Sequence, residues 1–103
     1  MSTDGYVREK LAAGVSCLVG IGGIHSRLVN AFISMTTING SNFSDEALGK
    51  RFDALYSRVT SVSAQGGEGK IQATINTMSD EDASGVAHEL FDLYASALRA
   101  LKK

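Results

Sequence analysis

The sequence predicts an all-α fold: a small helical bundle with a long apolar first helix and two shorter amphipathic helices. Three observations lead there. Apolar residues recur at steps of three and four in three separate blocks. Two polar joints that contain glycine divide the blocks. The second and third blocks also open with residue types that cap helix starts.

The first block is expected to be helical from about residue 4 to 38. Val7, Leu11, Val15, Leu18, Leu28, Phe32 and Met35 can be strung on one helical face, with Gly14, Ile21, Gly22 and His25 filling the gaps. Asn39-Gly40 supplies a stop. Unbroken, this helix is roughly 50 Å long at ~1.5 Å per residue. The glycines in its middle cost about 1 kcal/mol each relative to alanine. The block therefore either breaks near Gly22-Gly23 or gains close packing that compensates.

The middle block, 44–64, places Leu48, Phe52, Leu55, Val59 and Val62 on one narrow seam. Phe43 before Ser44, with Leu48 beyond, fits a hydrophobic staple. Its tail, "RVTSVSA", is rich in strand-favouring residues. A short helical turn is expected at 69–77, where Ile71, Ile75 and Met78 share a helical face. Ile71, Ala73 and Ile75 also alternate with Lys70, Gln72, Thr74 and Asn76 as in a strand, so an α+β fold with a hairpin over 58–77 stays open as the alternative. The last block, 79–102, has Ser79 as N-cap, with Asp80, Glu81 and Asp82 at the positive helix start. Val86, Leu90, Leu93, Ala97 and Leu101 form its stripe, widened by Phe91, Tyr94 and Leu98.

Composition narrows the function classes. The 103 residues make one domain, 1–103, with 44% apolar and 20% charged residues, neither disordered nor fibrous. A formal charge of −1 creates no field that would collect nucleic acid. Lys50, Arg51 and Arg58 form only a modest basic face, without interleaved aromatics. The uncharged run 11–24 has fourteen residues, short of the ~20 that span a membrane. No secretory signal pattern is present, and the single Cys17 reads as a small buried residue of a reducing cytoplasm. The sequons at Asn39 and Asn42 are then chance matches.

"VREKLAAGV", "FSDEALGKRFDALYSRVT", "GEGKIQAT" and "MSDEDA" together resemble a family of short, uncharacterised bacterial proteins. The likeness runs over most of the chain in scattered pieces. It implies an all-helical domain and brings no catalytic motif. At the first joint, where that family has a proline-flanked acidic segment, this chain has "INGSNFS".

The stretch "LVGIGGIHSR" (18–27) concentrates the candidate site residues. The dinucleotide fingerprint fails because His25 stands at its third glycine position, and no G-x-x-x-x-G-K-[ST] phosphate loop exists. The glycines fit packing better. Ala12, Ser16 and Gly20 are four residues apart, as are Gly22 and Ser26, and such small-residue stripes let a second helix approach closely. Ser16, Gly20, Gly23 and Arg27 are accordingly expected to mediate self-association or partner binding. His25 and Ser26 are adjacent on a helix and do not face each other as base and nucleophile. His88 lies on another helix, and two scattered histidines with one cysteine make no metal site. The acidic run 79–82 is explained by capping.

These features point to a non-enzymatic helical interaction module without cofactor or metal. It would be cytoplasmic, bind neither nucleic acid nor membrane, and act as an adaptor or regulator of another protein. An inhibitor carried by a phage or mobile element, directed at a bacterial defence complex, has the same signature. An apolar first helix too long for its neighbours to cover further predicts a homodimer, since pairing a patch with its own copy is the commonest way to bury it. The rival class is a small anionic-ligand binder or enzyme with a pocket near Gly22, His25 and Arg27, because Arg27 is the lone charge between positions 11 and 44.

Overall fold

The glycine-rich first block folds as two helices, not one. In the computed structural model, which describes residues 4–63 and 69–100, α1 spans Asp4–Leu18 and α2 spans Ile24–Ile33. Between them residues 19–23 reverse the chain, so the expected helix over 4–38 becomes an αα-hairpin. The reversal is possible because Gly22 adopts φ +103°, a conformation that a Cβ disfavours. The energetic reason is burial. Once folded back, Val7 and Leu11 of α1 join the same core as Leu28, Ala31 and Phe32 of α2, all fully buried. A straight helix would leave much of that surface in water, at about 25 cal/mol per Å². Tyr6 Oη and Thr37 Oγ1 lie 2.8 Å apart and close the open end of the hairpin.

After α2 the chain makes turns through 34–37 rather than continuing to a stop at Asn39-Gly40. Asn39 instead caps a 3-10 turn, Gly40–Asn42, with the Asn42 side chain accepting from the Asn39 N–H in return at 2.8 Å. The next helix, α3, is Glu46–Arg58, shorter than the expected 44–64. Its N-cap is Asp45, which accepts from Leu48 N–H at 3.1 Å, and not Ser44. Ser44 is drawn away by Asp4, whose carboxylate accepts from the Ser44 N–H (3.1 Å) and hydroxyl (2.6 Å). A buried aspartate at the start of α1 thus ties down the joint ahead of α3. At the other end the β-branched "VTSVS" stretch leaves the helix.

Residues Gly69–Asn76 are helical (α4), so the hairpin over 58–77 does not form where it can be seen. Its turn, 64–68, lies outside the described residues, among which there is no strand. The last helix, α5, is Asp80–Ala100. Ser79 caps it as expected, its Oγ accepting from Asp82 N–H at 3.0 Å; Leu101 and Lys102 lie outside the described residues.

The long α5 packs against α1, α2 and α3, while α4 lies on α2 and the 3-10 turn on α3. Most of the predicted seam positions form the core. Leu48, Phe52, Leu55 and Val59 of the middle block and Val86, Leu90, Leu93 and Ala97 of the last are buried together. Val62 lies past the end of α3 and is half-buried, and Phe91 and Leu98, expected to widen the last stripe, are exposed. Phe32, Tyr56, Phe52 and Phe43 follow one another at ring separations of 5.6–6.1 Å, inside the range of favourable aromatic pairs. Burial in this row pushes the Tyr56 phenol above its ordinary 10.0.

Candidate functional site

Leu18 ends α1, and the amides of Val19 and Gly20 close it with bonds to Ser16 and Cys17 carbonyls, each 3.2 Å. These i→i−3 bonds tighten the last turn. Gly22 turns the chain, and Gly23 opens α2 in an extended conformation without a side-chain cap. Arg27 then reaches back nine residues, its Nη1 donating to the Leu18 carbonyl at 2.7 Å. No basic residue stands in the last turn of α1, so the guanidinium from the next helix supplies the positive charge that a helix C-terminus favours.

Held on this frame, Val19 is 82% and Ile21 97% exposed. Two branched apolar side chains stand in water at the tip of a hairpin, next to glycines with no side chain to shield them. Ile21 was expected to fill a helical gap. The clue in the sequence was the alternation Val-Gly-Ile-Gly-Gly, in which every apolar residue is flanked by glycine and no helical neighbour can cover it.

The expected site residues separate on the structure. Ser16 is exposed on α1, whereas Gly20 and Gly23 lie in the turn, so the Ala12–Ser16–Gly20 stripe is interrupted and cannot form a helix–helix crossing. Cys17 is half-buried, not fully buried. Most of the apolar stripe that predicts a second copy is covered by the chain itself: Val7, Leu11, Leu28, Phe32 and Met35 have no exposed surface, while Val15 and Leu18 are half-buried. Much of the burial expected from pairing along the first helix is thereby met within one chain.

Nor do Gly22, His25 and Arg27 share a pocket. Arg27 is turned to the Leu18 carbonyl, while His25 braces the α4–α5 joint. Its Nε2 donates to the Met78 carbonyl at 2.8 Å, a bond that fixes the tautomer because a carbonyl only accepts. The other nitrogen, Nδ1, is 3.7 Å from the exposed Asp80 carboxylate, too far for a hydrogen bond. His25 also lines a groove of 470 Å³ between α2 and α4 with Ser26, Asn30, Ile33, Gln72 and Asn76. Its lining includes no other ionisable group besides the histidine. Among the described residues, no group of three or more His, Cys, Asp or Glu could hold a metal ion. None of their helices is long and apolar enough to cross a membrane.

No family model matches this chain, and no curated protein or solved structure does so either.

Proposed function

We propose that this chain is a non-enzymatic protein-interaction module that docks through the α1–α2 turn. One observation carries the reading: the near-complete exposure of Val19 and Ile21 on a turn that Arg27 and Gly22 hold in shape. Full burial of a valine or isoleucine side chain gains about 1.5–3 kcal/mol. A preorganised pair is therefore suited to anchor a small interface, where a few central apolar residues dominate the energy. The arrangement serves an adaptor and a phage-type inhibitor equally, since both need only an anchor and a socket on the partner. The socket can belong to a second copy, and self-association is the first form of the proposal to test.

The experiment compares the wild type with Ile21→Asp by light scattering coupled to size exclusion. It is paired with photo-crosslinking from position 21 in the cells that make the protein. The reading expects position 21 to crosslink to a second copy or to one discrete protein, and Ile21→Asp to abolish that association with helix content intact. Crosslinking from position 21 no stronger than from exposed Lys50 would overturn it.

A further inference from the structure

The contact between α3 and α5 contains a second feature, independent of the turn. The two helices run side by side with Arg51 opposite Ser96 and Arg58 opposite Glu89. Each pair is separated from the next by seven residues, so the seam between them is about 10 Å long at ~1.5 Å per residue. A groove of 210 Å³ lies along it, floored by Ala54, Leu55 and Leu93.

Its two ends differ in charge. At one, Arg58 Nη1 meets Glu89 Oε1 at 2.7 Å, so the end is closed by a neutral pair. Arg51 lines the other end; just beyond the groove its Nη1 and the Nη2 of Arg99 both approach Ser96 Oγ at 3.4 Å. One hydroxyl can accept from both guanidiniums, but it cancels neither charge. Lys50 pairs with Glu46, and Asp53 accepts from the Gly40 N–H. Among the described residues neither Arg51 nor Arg99 has a carboxylate within ion-pair distance, Asp92 on α5 included. Two guanidiniums held together without an acid are the donor set that a carboxylate or phosphate oxygen pair satisfies.

We infer that the α3–α5 groove binds a small amphipathic carboxylate. The head sits between Arg51 and Arg99 at Ser96, and a short aliphatic tail runs over Ala54, Leu55 and Leu93 toward the Arg58–Glu89 pair. Size selects a single chain, because pockets for drug-sized ligands are typically ~300–1,000 Å³. The apolar floor separates this site from a plain anion patch.

Octanoate, acetate and sulfate, at matched ionic strength, are the probes for an amide-resolved NMR titration of the whole chain. Octanoate should shift the amides of 51–58 and 89–99 saturably. Acetate, lacking the tail, should bind more than tenfold weaker, since each buried methylene adds about 0.8 kcal/mol. Arg51→Gln and Arg99→Gln should each weaken octanoate about tenfold, the scale of one hydrogen bond to a charged group. Ala54→Phe, at an exposed position, should fill the groove and abolish binding, with thermal melts establishing that each variant is folded. Ile21→Asp should change nothing here, so this site and the docking turn fail separately. The inference is overturned by an absence of saturable shifts, by acetate or sulfate matching octanoate, or by Ala54→Phe binding as the wild type does.

Discussion

Gly22 and Gly23, at the α1–α2 turn, and Gly40 and Gly49, where the 3-10 turn meets α3, put the same residue type to opposite uses. Around Gly23 an added Cβ would meet nothing within 4 Å, and around Gly22 nothing nearer than Ser26 Oγ at 3.7 Å. What Gly22 provides is a positive φ. Around Gly40 and Gly49 the backbone is ordinary but there is no room. A Cβ on Gly49 would run into the Gly40 carbonyl, and one on Gly40 into the Gly49 carbonyl and the Asp53 carboxylate. Asp53 Oδ1 also accepts the Gly40 N–H at 2.7 Å, so the two backbones are bonded into contact. One pair shapes the chain and the other lets two segments touch. Only the second pair is sensitive to volume.

That difference sets the largest expected effect. Gly49→Ala forces backbone against backbone, which no side-chain rotation relieves. Overpacking of this kind costs about 1–3 kcal/mol. With only backbone able to yield, the cost lies at the upper end, about 3 kcal/mol; the better helix propensity of alanine offsets about 1 kcal/mol of it, leaving a net loss of about 2 kcal/mol and a Tm lower by about 10 °C. Gly40→Ala breaks the same contact, so the double variant should lose less than the two single losses combined. Additive losses in a thermal-melt cycle would show that the two glycines do not act as one contact. Gly22→Ala comes next, at about 1–2 kcal/mol, because the cost there is conformational. D-alanine at position 22, introduced by ligation, should restore most of it. A volume effect would penalise both enantiomers alike.

The comparison also explains what could be read from the sequence. Seam positions such as Leu11, Phe32, Leu55 and Leu90 were legible because burial repeats with helical period whether or not a helix is continuous. The cap at Ser79 was legible because its partner, Asp82, is three residues away. For the glycine cluster the sequence leaves a break or close packing open, since Gly20–Gly23 are as small as Gly40 and Gly49, and smallness alone does not say whether space or φ is at stake. The close packing expected at 20–23 occurs instead at Gly40–Gly49, 9 residues apart in the chain. Another close approach is at Gly14, where an added Cβ would lie 2.7 Å from Met35 Sδ. Arg27 stands out in the sequence by its isolation among apolar residues. Its partner is a backbone carbonyl, which carries no residue-type signature. The Arg51–Ser96–Arg99 cluster joins two helices 45 residues apart, beyond the reach of local spacing.

Arg27→Gln tests the frame of the open turn without touching a glycine. Removing the guanidinium leaves the α1 C-terminus without its charged donor and should cost about 1 kcal/mol. The difference from wild type should narrow at high salt, as a helix-end charge interaction is screened. Urea melts at two salt concentrations measure both. Unchanged stability would free Arg27 for an external anion and revive the ligand-binding reading of the turn.

The smallest effect belongs to Gly23, and it should have the opposite sign. Gly23 is the N-cap of α2, with φ −73° and ψ 167° and no side chain to accept a hydrogen bond. Those angles suit any L-residue, and the surrounding space is empty within 4 Å. A serine there could accept from an amide in the first turn of α2, as Ser79 does from Asp82 in α5. Serine exceeds glycine as an N-cap by a few tenths of a kcal/mol (about 0.3), and it also restricts the unfolded chain. Gly23→Ser should therefore raise the Tm by about 1–3 °C, where Gly49→Ser lowers it steeply. A loss at Gly23 comparable to that at Gly49 would mean that something packs on the turn in solution, which is the contact the exposed Val19 and Ile21 invite.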